Sequence, residues 1–375
     1  MMVITGGPGT GKTTLIRAII TAAEQNGLEP ALMAPTGRAA KRLAISSGRD
    51  ADTIHKALEA SVRETGRTYF ERNEANPLEE DLIIVDEASM LDISLFYHLL
   101  CALKDGARLI LVGDIDQLPP VGAGEPLKDL MSWGYVPIVR LKRIFRQEEG
   151  SGIVENAALI RKGEMCVPDE AGEFRIVYAA DDEDAYRIVM DLCRELNYGN
   201  EENKMLLQVL SPMYRGVCGV DHLNESLQEM IHGEKVPDGM KFFPGDKVMQ
   251  TRNDYEKGIY NGDVGTVWTA TPQKVFVHYF DKEVVYEGEE RFDLRLAYAV
   301  TVHKSQGSEY ETVIFILRPS QHNMLQRNLL YTGVTRARKN TILVTAPDAL
   351  RRALAIQHTG NRYSLFLPCL NHDAL

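Results

Sequence analysis

The chain has little of what several large classes of protein require. Its five cysteines are an odd number and form no Cys-x-x-Cys pair, so the sequence indicates neither a disulfide framework nor a zinc site. No apolar run has membrane-spanning length, and the apolar first residues read as a strand rather than a signal peptide. The formal net charge of −11 argues against a surface coated in basic groups for nucleic acid. It does not exclude a basic channel on an acidic body. We therefore expect a cytoplasmic protein with reduced thiols and no membrane contact.

What the chain does have is a pattern of continuous apolar strands alternating with helices. With 375 residues, of which 44% are hydrophobic, it is long enough for two or three domains. Strand-like runs lie at 31–34, 82–85 and 108–112, and helical stretches separate them. Such a pattern predicts a parallel sheet that is covered on both faces. A polar segment at 63–72 interrupts it and reads as a small inserted hairpin or loop.

A glycine-rich loop at 6–13 carries the most specific signal. Its sequence, Gly-Gly-Pro-Gly-Thr-Gly-Lys-Thr, fits the pattern G-x-x-x-x-G-K-[ST] and lies between a predicted strand and a predicted helix. Glycines allow backbone N–H groups to turn inward around a phosphate, and the helix N-terminus adds partial positive charge. Lys12 would reach the β- and γ-phosphates, and the Thr13 hydroxyl would contact Mg²⁺. The loop predicts binding of a nucleoside triphosphate.

Polar residues follow the next two strands of the predicted sheet. Asp86 and Glu87 come directly after the strand at 82–85, where Asp86 would hold Mg²⁺ and Glu87 could act as general base on the attacking water. Gln117 follows the strand at 108–112, and its amide suits sensing a γ-phosphate or the attacking water. These residues predict hydrolysis of the bound nucleotide.

The second half of the chain repeats the α/β pattern around a different insertion. Strands are predicted near 174–177 and 205–210, and the pattern resumes at 297–302. Between them, at 241–292, short strands are separated by Gly and Asp residues, which predicts a small all-β module.

Eight segments in this order resemble the motifs of superfamily 1 DNA helicases, and most closely the RecD-like branch, which moves 5′→3′ on single-stranded DNA. These segments are 6–14, 34–41, 53–55, 86–89, 113–120, 144–147, 301–309 and 331–338. The resemblance covers essentially the whole chain. It implies an ATP-dependent 5′→3′ helicase or translocase that couples ATP hydrolysis to movement on single-stranded DNA and to unwinding of forked duplex DNA, with a role in recombination and repair.

The resemblance also implies an α/β fold of two RecA-like P-loop domains with ATP between them. The first would span 1–148 and contain a hairpin at about 61–81, where the family places a strand-separating pin. The second would span 149–375 and contain an SH3-like β-barrel at about 241–292, where the family places a barrel that grips the strand.

Residue by residue, the same match assigns a site. The implied catalytic residues are Lys12, Glu87, Gln117, Arg146 and Arg336, the two arginines as fingers on the transferring phosphoryl group. ATP would contact Gly6, Gly7, Pro8, Gly9, Thr10, Gly11, Lys12, Thr13, Thr14, Phe145, Gly307 and Glu309. Mg²⁺ would be held by Thr13 and Asp86. The DNA strand would contact Pro35, Thr36, Gly37, Arg38, His55, Thr301, His303 and Lys304.

The sequence departs from the family at its beginning. The family usually has an adenine-reading glutamine upstream of the first strand, and often an N-terminal domain, whereas this sequence starts at the strand. Two interpretations follow: the sequence is a fragment, or adenine recognition is weak. Two other functions stay open, namely the helicase part of a conjugative relaxase and a nucleotide-dependent DNA-binding module that does not unwind alone.

Overall fold

The computed structural model describes residues 1–62, 68–143, 151–237, 239–254, 256–280, 282–357 and 366–372. The chain divides into two compact units. Unit 1 comprises Met1–Glu148 and Gly360–Leu375, and unit 2 comprises Glu149–Thr359.

Unit 1 begins with strands and helices in alternation. Its elements are β1 (Met2–Gly6), α1 (Lys12–Gln25), β2 (Pro30–Ala34), α2 (Gly37–Ser47), β3 (Asp52–Thr53), α3 (Ile54–Ala57), β4 (Ala60–Val62), β5 (Thr68–Phe70), β6 (Leu82–Val85), α4 (Ile93–Cys101), β7 (Arg108–Gly113), α5 (Pro126–Trp133) and β8 (Ile138–Leu141), with a 3₁₀ turn at Ala88–Met90.

The main sheet of unit 1 is parallel, in the order β3-β2-β6-β7-β1-β8. All four residues of β6 are buried, as expected for a strand covered on both faces. Thr5 of β1 pairs with Gly113 of β7, and Val85 of β6 pairs with Leu111. The carboxyl ends of these three neighbouring strands are therefore nearly level, and the loops that follow them emerge at one edge.

Unit 2 contains a second parallel sheet and an antiparallel one. Its elements are α6 (Gly152–Lys162), β9 (Phe174–Tyr178), α7 (Asp182–Glu195), α8 (Glu201–Leu206), β10 (Leu207–Ser211), α9 (Val220–His232), β11 (Lys247–Gln250), β12 (Val264–Ala270), β13 (Lys274–His278), β14 (Glu283–Glu287), β15 (Leu294–Leu296), β16 (Ala299–Thr301), β17 (Tyr310–Leu317), α10 (Arg327–Val334), β18 (Ala337–Thr345) and α11 (Pro347–Ala355), with 3₁₀ turns at Gly288–Asp293, His303–Ser305 and Pro319–Met324. The last helix of the chain, α12 (Phe366–His372), belongs to unit 1.

The parallel sheet of unit 2 has the order β16-β10-β17-β18-β9, and the antiparallel sheet has the order β14-β13-β12-β11-β15. We call residues 247–296, from β11 to β15, the β module. Alternate residues of β13 and β14, such as Val275, Val277, Val284 and Tyr286, are buried in a core of its own. The predicted fold class, an α/β chain with parallel sheets and an inserted β module, is confirmed.

The inserted hairpin of unit 1 and the end of the chain need separate comment. Strands β4 and β5 pair antiparallel, Ala60 opposite Phe70, while 63–67 lie outside the described residues. The sequence assigned 360–375 to the second domain, whereas α12 belongs to unit 1. The reason is apolar packing: Phe366 lies edge-to-face on Phe96 at 5.8 Å between ring centroids, and Leu370 joins the same core.

Candidate nucleotide and nucleic-acid sites

The phosphate loop connects β1 to α1 in the arrangement that the motif requires. Gly9 and Gly11 have φ values of 73° and 83°, a left-handed conformation that glycine adopts without steric cost. Lys12 is the first residue of α1, and its Nζ donates to the carbonyl oxygens of Gly6 and Gly7 at 2.7 and 2.9 Å. The ammonium group is therefore held against the loop, where a phosphate oxygen could replace either carbonyl oxygen as its acceptor.

Asp86 and Glu87 directly follow β6, which β7 separates from β1 in the sheet order. Burial, followed by the negative charge of Glu87, raises the pKa of Asp86 to about 6, and Lys12 and Arg42 act in the opposite direction. Glu87 has φ 50° and ψ 36°, a left-handed conformation that is uncommon for a residue with a side chain. Such conformations persist where the surroundings fix them, and they concentrate at functional sites.

Gln117 lies in the loop that follows β7, and the carboxylate of Asp114 accepts hydrogen bonds within this loop. Asp114 is 2% exposed, and its oxygens accept from the backbone N–H of Asp116 at 3.2 Å and from Gln117 Nε2 at 3.4 Å. A Cβ on Gly113 would lie 2.9 Å from the backbone nitrogen of Ser89, so glycine allows β7 to approach the turn after Glu87. The described structure therefore brings Lys12, Glu87 and Gln117 to one sheet edge.

Sequence reasoning missed two charged residues near this edge. Asp114 lies in the segment 113–120 and had no predicted role, although an acidic residue directly after an apolar strand is itself a signal. Arg42, whose charge lowers the pKa of Asp86, lies on α2. Its spacing of four residues from Arg38 places both on one helix face and could have identified it.

The loop that was predicted to contact DNA in unit 1 follows β2 at the same edge. Thr36 caps α2, because its Oγ1 accepts from the backbone N–H of Ala39 at 3.3 Å. Pro35 precedes this cap, and Gly37 and Arg38 form the first turn of the helix. An anion near these residues would meet the positive end of the α2 dipole.

His55 lies on α3, close to the hairpin. Its ring is tilted against Phe70 of β5 at 5.9 Å between centroids, and Phe70 in turn contacts His98 at 4.6 Å. Burial lowers the pKa of His55, and Asp92 partly opposes this. The neutral imidazole is therefore favoured. The half-buried ring packs on Phe70 of the hairpin and is partly exposed to solvent.

The corresponding residues of unit 2 follow β16. Thr301 ends this strand, and its Oγ1 accepts from the backbone N–H of Lys304 at 3.2 Å, which closes the turn that contains His303. Burial and the nearby charge of Arg295 lower the pKa of Lys304. Thr301 and Lys304 line a cleft of about 740 Å³ between the β module and the α/β part of unit 2.

Arg336 and its neighbours lie deep in unit 2. Arg336 is 3% exposed, and it donates to the carbonyl oxygens of Thr332 and Ser308 at 3.2 and 3.1 Å. Gly307 has φ 72°. The carboxylate of Glu309 pairs with Arg338 at 2.9 Å. Phe145, which the resemblance implies as an ATP contact, and Arg146, the second implied arginine finger, lie outside the described residues.

A glycine-rich phosphate loop, an acidic pair after the next-but-one strand and a second parallel sheet together indicate a P-loop nucleotide-binding protein. Three family models match it: an AAA domain over 1–123, the SH3 domain of ATP-dependent RecD-like DNA helicases over 223–279, and a UvrD-like helicase C-terminal domain over 296–344. The chain belongs to the RecD family of DNA helicases, as the resemblance predicted.

The relatives that show this membership are curated proteins. The chain is 34% identical over 408 residues to RecBCD enzyme subunit RecD of Mycolicibacterium smegmatis. This alignment covers 97% of this chain and 72% of that protein. It is 39% identical over 369 residues to ATP-dependent RecD2 DNA helicase of Deinococcus radiodurans, which covers 97% of this chain. The chain spans 50% of the length of that second relative.

Solved structures share the fold at lower identity. Pif1 helicase from Bacteroides, crystallised with ADP-AlF3 and single-stranded DNA, has a TM-score of 0.58 at 22% identity, covering 99% of this chain and 92% of that one. Pif1 helicase from Candida albicans has a TM-score of 0.58 at 20% identity, covering 100% and 94%. Within the described part of the chain, every helix is too short or too polar to cross a membrane.

Proposed function

We propose that the chain acts in the cytoplasm as an ATP-dependent 5′→3′ DNA helicase or translocase, which couples ATP hydrolysis to movement on single-stranded DNA and to unwinding of forked duplex. The observation that carries the proposal is the convergence of Lys12, Glu87 and Gln117 at one edge of a parallel sheet. One curated relative is named as an ATP-dependent DNA helicase and another as the RecD subunit of the RecBCD enzyme, and a Pif1 structure of the same fold contains single-stranded DNA.

The residues of unit 1 suit hydrolysis of ATP. Lys12 would exchange its two loop carbonyls for phosphate oxygens, and Glu87 would accept a proton from the attacking water. Gln117, held by Asp114, would orient that water through its amide. Glu87 and Gln117 would need little reorganisation at the moment of reaction, because hydrogen bonds to Asp86 and Asp114 already hold them.

Thr13 and Asp86 fit Mg²⁺ by the chemistry of their donors, since this ion prefers hydroxyl and carboxylate oxygens. Burial and the charge of Glu87 raise the pKa of Asp86 in spite of Lys12 and Arg42, and a dication beside the carboxylate would stabilise its anion further. When bound, Mg²⁺ would neutralise part of the charge on the β- and γ-phosphates.

Arg336 would act on the transferring phosphoryl group of ATP. Its acceptors among the described residues are neutral carbonyl oxygens, so its positive charge is not cancelled by a carboxylate. A guanidinium that keeps its net charge in a buried setting is suited to meet an anion. Gly307 and Glu309 would approach phosphate and ribose, and Arg146 and Phe145 would complete the site.

The DNA strand would run along the loops that follow β2 and β16. Pro35, Thr36, Gly37 and Arg38 would contact it in unit 1 with His55 nearby, and Thr301, His303 and Lys304 would contact it in unit 2. These groups are helix ends, hydroxyls and cations, which bind sugar and phosphate rather than read bases. The hairpin of β4 and β5 would separate the strands of a forked duplex.

ATP hydrolysis measured with and without single-stranded DNA, together with unwinding of forked duplexes, tests the proposal. We expect stimulation by single-stranded DNA, and unwinding of duplexes that carry a 5′ tail but not of those with only a 3′ tail. Stimulation without unwinding would instead support a nucleotide-dependent DNA-binding module. The absence of both would contradict the proposal.

A further inference from the structure

We propose that the β module positions Lys304 through the side chain of Asn261, so that the insertion sets one of the strand-contacting cations of the α/β part of unit 2. The inference rests on the proposed function, because it concerns how Lys304 would meet a DNA phosphate. It assigns a role to Asn261, which the sequence motifs did not include.

Two buried charged residues that are adjacent in sequence, Asp246 and Lys247, attach the β module to the rest of unit 2. Asp246 is fully buried, and its carboxylate accepts from Tyr298 Oη at 2.8 Å and from Gln228 Nε2, and it contacts His232 Nε2 at 2.9 Å. Lys247, the first residue of β11, is 1% exposed. Its Nζ donates to Leu207 O and Gln208 Oε1, both at 3.0 Å.

These contacts join the start of the β module to α9, to β10 and to the residue before β16. Losing one of these hydrogen bonds would leave a buried charged group with fewer partners, which is costly, so the contacts favour one orientation of the module. The module is therefore held against β16, the same strand whose carboxyl end leads into Lys304.

Asn261 lies in a turn of the β module that has its own supports. Tyr260 N donates to Asp263 Oδ2 at 3.0 Å, and Asp263 N donates to Tyr260 O at 2.9 Å. Gly262, with φ 99°, donates to Gln250 O at 2.8 Å, and the backbone N–H of Asn261 donates to Asn253 Oδ1 at 2.9 Å. The backbone that carries Asn261 is fixed on both sides.

From this turn, Asn261 Oδ1 accepts a hydrogen bond from Lys304 Nζ at 2.6 Å. An ammonium group has three donors, so one bond to Asn261 orients it and leaves two for phosphate oxygens. The acceptor is a neutral amide, so the positive charge is kept, whereas a carboxylate would have cancelled it. A cation oriented beforehand loses less conformational entropy when it binds.

A double-mutant cycle on the full chain tests the proposal, with ATPase stimulation by single-stranded oligonucleotide as the readout. We expect Asn261→Ala to raise the DNA concentration for half-maximal stimulation by about 3- to 10-fold, while the maximal rate changes by less than about 2-fold. In a Lys304→Ala background, Asn261→Ala should have no further effect. Gln273→Ala, at an exposed turn of the same module, is the matched control and should leave both quantities unchanged.

Two results would overturn the proposal: no effect of Asn261→Ala, or an equal effect with and without Lys304. The second would mean that Asn261 acts on DNA or on stability independently of Lys304. A wild-type chain that single-stranded DNA does not stimulate would count against the proposed function as a whole, and so the two failures are distinguishable.

Discussion

The two α/β units each place a cation after a strand of a parallel sheet, but they hold it in different ways. In unit 1, Lys12 donates to carbonyl oxygens of its own loop, only five and six residues away in sequence. In unit 2, Lys304 is held by Asn261, 43 residues away on an inserted module. A local cation needs only its motif, whereas the distant one depends on how the insertion is attached.

Unit 2 offers a second contrast, between two buried arginines. Arg318 is 2% exposed and pairs with Asp182 at 3.1 Å, and it also donates to Ala179 O and Thr345 O. Arg336 is as deeply buried, but within the described residues its acceptors are carbonyl oxygens alone. We therefore expect Arg318 to stabilise the fold, whereas Arg336 is the arginine that we propose to meet a phosphate.

The largest expected effect comes from the local cation of unit 1. Lys12→Ala should abolish ATP hydrolysis with the fold intact, because Lys12 is the side-chain cation of the loop that balances charge on the β- and γ-phosphates. Steady-state phosphate release measures this, and circular dichroism checks the fold. Lys339→Ala, at an exposed site of unit 2, is the control. Wild-type turnover by a folded Lys12→Ala chain would refute the phosphate-loop assignment.

Arg336→Ala tests the unpaired arginine. It should bind ATP nearly normally but lose DNA-stimulated hydrolysis, since trans-acting arginines of this kind contribute roughly 10³–10⁵ in rate. Binding of a fluorescent ATP analogue beside stimulated turnover separates the two effects. Normal stimulated hydrolysis by the variant would show that Arg336, like Arg318, serves only the fold.

Glu87→Gln should retain Mg-ATP binding and hydrolyse it about 10²–10⁴-fold more slowly, because the amide keeps the shape and loses the base. Single-turnover hydrolysis measures the chemical step directly. Asp116→Asn, on the neighbouring loop, removes a carboxylate that carries no assigned role and should change the rate little. A Glu87→Gln rate within about 2-fold of wild type would remove Glu87 from that role.

Arg318→Met sharpens the arginine contrast from the side of stability. Loss of the ion pair with Asp182 should lower the free energy of unfolding by about 2–4 kcal/mol. This loss is smaller than for a fully buried pair, because Asp182 retains some solvent contact. Chemical denaturation followed by circular dichroism would measure it. A loss no greater than that caused by Arg336→Ala would contradict the distinction between a structural and a functional arginine.

Salt dependence gives the smallest effect and concerns both units. Binding of single-stranded DNA should weaken with salt despite the net charge of −11, with a slope of about −0.7 per neutralised phosphate in a plot of log affinity against log salt. Fluorescence anisotropy at several salt concentrations gives the slope. Lys304→Ala should make it shallower by about 0.7. Salt-independent binding would contradict a strand held through its phosphates.

Much of unit 1 could be predicted from the sequence, because its determinants are local. Apolar runs indicate buried strands, and parallel strands bring their carboxyl ends to one edge. The phosphate loop, Asp86–Glu87 and Gln117 could therefore be placed together from the sequence alone. The ordered motifs identified the RecD-like family, and the relatives confirm it. The roles of the individual residues stay predictions.

Only the tertiary structure decided three further features. It placed α12 with unit 1, through contacts between residues about 270 positions apart in sequence. Among the described residues, it paired Arg318 with Asp182, whereas the acceptors of Arg336 are carbonyl oxygens. It joined Asn261 to Lys304. Each of these features depends on which surfaces come into contact when distant segments pack, and such long-range contacts produce no periodicity or spacing in the sequence. The backbone conformation of a glycine loop and the burial of a strand, in contrast, follow from neighbouring residues.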